Sequence, residues 1–391
     1  NRMIRFTPIL AALGAALLIA SLMLIALDAN PLTAVAALWA GAFGSENAIA
    51  EVLVKATPIL FVAIGITVAF RGGIINIGGE GQMIVGAIVA TAVVLPIGQM
   101  FGAVGIPAAL LAGFIAGGAY GAIAGALKAY FDVNEILSTI MLNQIAVQLM
   151  NYLLNGIMLD PEAAGFNNIP KTARIEEATQ LPRLSIPLLG DAALFDRTRL
   201  HWGVILGVVL AVIIYVFLWR TALGYRIRMV GQNARAARYA GVSVERQTVL
   251  AMFLAGGCAG LAGVVQVLGL QYRLQTDGSP LGFTGNAGFN GIVAALFGGL
   301  NPLGAIPASA FFGSLLVGAQ RMQRELGVSA SLITTMNGLI VVFVVSSQIW
   351  VRQLARRQSN SGSPPDASTE QEQTKTNTQT SGDAPLAEGT D

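Results

Sequence analysis

Residues 71–86 read RGGIINIGGEGQMIVG and lie between two apolar runs. Glycine frees the backbone from the usual steric limits, so a helix reached through Gly72, Gly73, Gly78, Gly79 and Gly81 starts late or breaks. The surroundings make such a break consequential. Only 11% of the chain is charged and 54% is hydrophobic, with a mean hydropathy of +0.66. Soluble domains carry about 25% charged residues, so this composition calls for a bilayer. Irregular backbone is tolerated there only where protein or a water-filled cavity satisfies it. A carboxylate at the bilayer centre costs roughly 2.5–3.5 kcal/mol, so Glu80 is either near the surface or functional.

The stretch has an echo. Asn76-Ile-Gly-Gly-Glu80-Gly81 returns as Asn286-Ala-Gly-Phe-Asn290-Gly291. Ile106-Pro107-Ala108 and Gly113 follow the first copy, and Ile306-Pro307-Ala308 and Gly313 follow the second. Further on, Ser138-Thr139-Ile140-Met141-Leu142-Asn143 answers to Thr334-Thr335-Met336-Asn337. Three matches in one order indicate a duplicated half.

Runs of crossing length lie near 9–27, 53–70, 79–95, 105–127, 135–157, 202–219, 248–270, 288–300, 303–320 and 331–351, about ten in all. The 288–300 run is short for a crossing. Arg2 and Arg5 precede the first run, and no small-x-small cleavage site follows Leu27, which predicts a retained helix rather than a signal peptide. No span falls in 28–50, which holds Asp28, Pro31 and Glu46.

The loop 220–247 contains Arg220, Arg226, Arg228, Arg235, Arg238 and Arg246, and the C-terminal flank has Arg352, Arg356 and Arg357. Ten spans put both, with the N-terminus, in the cytoplasm. The segment 158–201 then lies outside, and Arg321 and Arg324 are a minor exception. The expected fold is an all-α polytopic membrane protein, N-in/C-in, with spans 2–5 and 7–10 as inverted repeats. The permease region would cover 1–357, and 358–391, rich in Ser, Thr, Gln, Glu and Asp, is expected to be a disordered cytoplasmic tail.

Some polar and small residues have competing explanations. Gly113, Gly117, Gly121 and Gly125 form a ladder at spacing four, best read as a helix-packing surface. Asn143, Gln144, Gln148, Asn151 and Asn155 fall within an arc of about 140° on one helix. That arc serves either as helix–helix glue or as a wet path. The single Cys258 excludes an intrachain disulfide, and His201 has no His or Cys partner for a metal. There is no phosphate-binding Gly-x4-Gly-Lys-Ser/Thr motif, no metal-ligand spacing and no usable Ser/His/Asp set. No catalytic residue, metal or bound cofactor is therefore assigned, and nothing asks for nucleic acid. Energy must come from an ion gradient or from another subunit.

The loop 220–247 bears on that choice, because it is far longer than a connection needs. Ala234 to Ala240 is a run of good helix formers bracketed by Gly231 and Gly241. It suits a compact helix seated in a partner's groove, or a loop held by anionic lipid.

Gly224-Tyr225-Arg226 through Gly231-Gln232-Asn233-Ala234-x-Ala236-Ala237-x-Tyr239-Ala240-Gly241 resembles the cytoplasmic loop of ABC-importer permeases of the branched-chain amino acid/ribose type. Asn76-Ile-Gly-Gly-Glu80-Gly81-Gln82 looks like the same family's signature near the third helix. Its Glu-Gly-Gln form, with Leu200-His201-Trp202-Gly203 ending the outer loop, is closest to the nucleoside branch. The resemblance covers roughly 5–352 and implies a bacterial inner-membrane permease paired with a second related permease, identical or not. It also implies an ABC ATPase that carries ATP and Mg, and an extracytoplasmic binding protein meeting 158–201. Gly231, Asn233, Arg235, Ala236, Ala237, Arg238, Ala240 and Gly241 would form the coupling helix on the ATPase. Solute would pass near Asn76, Glu80, Gln82, Asn143, Asn286, Asn290 and Asn337, whose amides suit ribose hydroxyls and base edges, or a hexose equally. Ribose, galactose and branched-chain amino acids remain alternative solutes. An ion-coupled secondary transporter, with Glu80 as its candidate coupling group, and a scaffold or channel are the rival classes.

Overall fold

One helix is buried on every side. In the computed structural model, which describes residues 30–161, 169–187 and 193–327 with isolated positions at 14, 18–19, 21–23, 25, 335 and 338, it spans Glu46–Arg71. The short helix α1, Pro31–Phe43, precedes it. The central helix, α2, is capped by the Ser45 side chain, which accepts from the Ala48 N–H, and buries an unbroken run from Thr57 to Ala69. A helix apolar on all faces is a core element. The rest of the chain is arranged around it.

Beyond the break come α3, Gly79–Phe101, and α4, Gly105–Phe131, joined by a 3-10 turn at Gly102–Val104. Helix α5, Glu135–Leu154, is capped by Asn134, and α6 is Gly203–Arg220. Two loop helices follow, α7 at Ala222–Gln232 and α8 at Ala234–Tyr239. Helix α9, Val244–Gln266, continues as a π-helical segment Val267–Gln271. The last described elements are α10, Pro280–Thr284, α11, Ala287–Phe297, and α12, Pro302–Leu326. Six helical stretches among the described residues are long and apolar enough to cross a membrane, with Gly79–Phe131 taken as one. The protein is thus helical and polytopic. Apart from them, Ile186–Pro187 and Ala193–Leu194 pair as a two-residue antiparallel hairpin in the outer segment.

Helix α2 packs against α9, α12, α11 and α6. The glycine ladder behaves as a packing surface. A Cβ on Gly117 would lie 2.5 Å from the Gly256 oxygen and 2.7 Å from Gly260 Cα, so α4 and α9 meet backbone to backbone. Close approach through small residues is how membrane helices gain dispersion energy that lipid tails would otherwise match. Val209, Val212 and Ile213 of α6 face outward, as a bilayer requires.

Two placements differ from expectation. Residues 31–43, left without a span, form α1, because Asn30 caps the Leu32 N–H and Pro31 fits a first turn. Thirteen residues are too few to cross, and α1 packs on α12 and α2. The amide arc divides: Asn143 is buried, whereas Gln144 and Gln148 are exposed. The expected first and tenth spans, Asn337, and the tail 358–391 lie outside the continuously described residues.

The segment between α5 and α6 is tied to the chain just beyond α9 and its π-helical extension. Thr172 and Ile175 donate backbone N–H groups to the Leu274 and Tyr272 carbonyls, both at 2.9 Å. Arg199 grips Glu51 with two bonds of 2.8 and 2.7 Å. His201 is buried, and its Nδ1 accepts from the Gly203 N–H at the start of α6.

Two outcomes are expected. Gly117→Val should destabilise the purified permease by about 1–3 kcal/mol of overpacking strain, read by thermal unfolding in detergent, while Ala119→Val on the exposed side of α4 changes little. Burial pushes the His201 imidazole down to about 4, from an ordinary value of about 6.5, so the unfolded chain takes up the proton first. Stability is then full above about pH 6.5 and declines as pH falls towards about 4. His201→Gln should flatten that slope.

Candidate functional site

Gly72 ends α2, and Gly73, at φ +78°, turns the chain into an irregular stretch that lasts to Gly78. Three buried side chains hold it. Asn76 Oδ1 accepts from the Gly78 N–H at 2.8 Å, and Asn76 Nδ2 donates to Gln82 Oε1 at 3.0 Å. Asn143 reaches in from α5: its Oδ1 accepts from the Gly81 N–H at 2.8 Å and its Nδ2 donates to the Ile77 carbonyl at 2.9 Å. These amides replace water for a backbone that the bilayer could not solvate.

The second copy is built differently. Gly285 and Asn286 both take left-handed backbone, at φ +58° and +65°, and α11 starts at once from Ala287. Its 11 residues rise only about 16 Å, half a bilayer. Gly299 and Leu300, at φ +70° and +53°, end it in a left-handed turn.

The two breaks meet. Glu80 lies in the first turn of α3, yet its Oε1 accepts from the Gly288 N–H at 2.8 Å and the Phe289 N–H at 3.3 Å, in the first turn of α11. The Thr284 side chain also hydrogen-bonds it. Only 2% of Glu80 is exposed. The carboxylate therefore bridges the two halves across 208 residues of sequence. Asn76, Glu80, Gln82 and Asn143 thus form one buried cluster, and Asn286 and Asn290 sit half-buried at its edge.

Near the end of α5, Asn151, Asn155, Ile169, Pro170, Thr276, Asp277 and Gly278 line an open pocket of about 560 Å³. Thr276 Oγ1 donates to Asn151 Oδ1 at 2.7 Å. Thr276 and Asp277 were not singled out in the sequence. The signal was the Asp-Gly-Ser-Pro turn at 277–280, ahead of the second break.

At the opposite end is the loop helix α8. Asn233 caps it by accepting from the Ala236 N–H at 3.0 Å, and Gly241, at φ +79°, stops it. Gly231 fits against the turn after α2, where a Cβ would meet the Arg71 carbonyl at 2.1 Å. Ala237, expected on the docking surface, is buried within the chain at 0% exposure. Arg235, Ala236 and Ala240 are exposed, and Arg238 is paired with Glu245 at 2.6 Å. Tyr239, not counted among the candidates, is 94% exposed at the end of α8.

Residues 48–351 match the family model described as branched-chain amino acid transport system / permease component. Among curated proteins, the guanosine ABC transporter permease NupP of Bacillus subtilis is 36% identical over 80% of this chain and 84% of its own length. The glucose ABC transporter permease TsgB13 of Haloferax volcanii is 33% identical over 88% of each. A second guanosine permease of Bacillus subtilis, NupQ, is 31% identical over 67% of this chain and 78% of its own length. No solved structure matches the chain.

Glu80→Ala leaves the Gly288 and Phe289 N–H groups without their acceptor, at an expected cost of about 1–3 kcal/mol. Glu80→Gln keeps an acceptor oxygen and should cost less. Thermal unfolding of the two purified variants reads the order, and equal midpoints for Glu80→Ala and the unaltered protein would contradict the bridge.

Proposed function

This chain belongs to the family of branched-chain amino acid transport system permease components, and from that membership we propose that it conducts a nucleoside across the bacterial inner membrane. It is a multi-pass permease subunit of an ABC importer, not an enzyme. The ion-coupled and scaffold readings fall away with that membership.

The observation that carries the reading is α8. A six-residue helix, capped by its own Asn233 and stopped by Gly241, presents Tyr239, Ala236 and Arg235 outward. A chain without a nucleotide-binding motif receives work only through a contact that differs between its partner's states. A small surface with one exposed aromatic is the form that such contacts take, since aromatic anchors carry much of an interface's energy. In this reading α8 couples to an ABC ATPase that carries ATP and Mg, a second permease stands beside this one, and a binding protein meets the outer segment 158–201. Pairing is favoured by the two guanosine permeases from one organism.

In the same reading the chain makes ten spans as two inverted repeats, with both termini in the cytoplasm. Arg71 and the arginine-rich loop share one end of the molecule, which agrees with that orientation. Solute enters by the pocket at Asn151, Asn155, Thr276 and Asp277, whose hydroxyl, amides and carboxylate suit sugar hydroxyls and base edges. It passes the half-exposed Asn286 and Asn290, while Asn76, Glu80, Gln82 and Asn143 hold the wall. Asn337 is placed on that path by its pairing with Asn143 in the repeat. A simple sugar is the second reading, favoured by the likeness to a glucose permease.

Two measurements test this. Proteoliposomes holding the complete importer should take up guanosine or another nucleoside in preference to glucose, and the reverse preference would reassign the solute. Tyr239→Ala should reduce copurification with the ATPase, by about 2 kcal/mol if Tyr239 anchors the contact, without loss of the folded permease. Unchanged copurification would remove α8 from the interface.

A further inference from the structure

We propose that Arg71 is a positioning residue for transport, linking movement of the cytoplasmic loop to the half-helix α11. The proposal rests on the reading of α8 as the ATPase contact.

Arg71 is the last residue of the central helix α2. Its Nε donates to the Leu300 carbonyl at 2.9 Å and its Nη2 to the Gly299 carbonyl at 3.3 Å. Both carbonyls belong to the left-handed turn that ends α11. The guanidinium also stands over the Trp219 ring, 5.4 Å from its centre. Arg228 of α7 stands over the same ring at 5.6 Å, and its Nε donates to the Leu218 carbonyl at 2.9 Å. One indole is thus shared by a cation from the loop and a cation from the core helix.

Helix α7 runs into α8 through Asn233, and Gly231 in the last turn of α7 lies on the backbone of Arg71 to Gly73. The loop therefore bears on the first break through Gly231 and reaches the C-terminal turn of α11 through Arg228, Trp219 and Arg71. Glu80 holds the other end of α11. A short helix pinned at its N-terminus by the first half and at its C-terminus by Arg71 moves as a rod when either pin moves.

A purely electrostatic Arg71 would be replaceable. Any cation offsets the negative end of α11, and lysine would do so equally well. Lysine cannot reproduce two forked carbonyl bonds from one planar group held over an indole. Arg71→Lys separates the two roles.

The experiment uses the complete importer in proteoliposomes, with copurification, basal ATP hydrolysis, stimulation by loaded binding protein and solute uptake measured on each variant. Arg71→Lys should assemble and hydrolyse ATP at the basal rate, while uptake and stimulation fall by about fivefold or more, the lower end of usual coupling between linked sites. Trp219→Leu, which spares the carbonyl bonds and removes only the shared ring, should assemble and lose stimulation too. Normal uptake by Arg71→Lys, normal stimulation in Trp219→Leu, or failure of both variants to assemble overturns the proposal. Tyr239→Ala is run alongside: if it copurifies with the ATPase unchanged, the docking reading has failed, whereas normal uptake by Arg71→Lys beside a Tyr239→Ala that loses the ATPase condemns the linkage alone.

Discussion

The Glu80 carboxylate lies where two helices point their N-termini at one another. Each such terminus carries roughly half a positive charge, and two face to face in a medium of low dielectric would repel. A single carboxylate between them offsets both. Its bond to the Gly288 N–H spans the halves, and its place in the first turn of α3 serves its own helix at the same time. The Gly288 and Phe289 N–H groups find their acceptor in the other half of the chain, so removing the Glu80 side chain leaves both without it at the second break.

The amides complete that arrangement. The chain from Ile74 to Gly78 makes no helix, so its polar groups need partners from elsewhere. Asn76, held in turn by Gln82, supplies one locally, and Asn143 supplies another from α5. Each amide offers both a donor and an acceptor, which suits a backbone presenting both. The same property would suit a sugar. Here the side chains are already engaged with the protein, whereas Asn286 and Asn290 are half-exposed and Thr276 lines a pocket.

Much of the fold was legible because the bilayer allows few solutions. The expected 135–157 and 248–270 runs correspond to Glu135–Leu154 and to Val244–Gln266 with its π-helical extension. The short 288–300 run was recognised as anomalous, and α11 is a half-helix. Helix α1 escaped notice, since hydropathy seeks crossings and its Asn-Pro start was the only local cue. The repeated motif identified both breaks but could not show that Glu80 of one touches Gly288 of the other, because that contact depends on how the halves pack. Ala237 shows the limit within a short helix. Alternating alanines and arginines do not reveal which alanine faces the protein, and burial selected Ala237 and left Ala236 outside.

Arg71 and Arg228 illustrate a related limit. A count of positive charges treats arginine and lysine alike. The positions of the two arginines show two distinct uses of the guanidinium, one in paired bonds to the turn at Gly299 and Leu300, the other in lying over the Trp219 ring. The consequence is mechanical. A helix ending in lipid-facing water is free to tilt, whereas α11 ends in a turn held by a planar side chain fixed on an indole. Its opposite end is held by a carboxylate. With both ends fixed to elements that carry the loop on one side and the first break on the other, displacement of the loop has no compliant element to be lost in. The small residues at Gly231 and Gly73 remove the remaining slack, since no side chain stands between the loop and the turn it presses on.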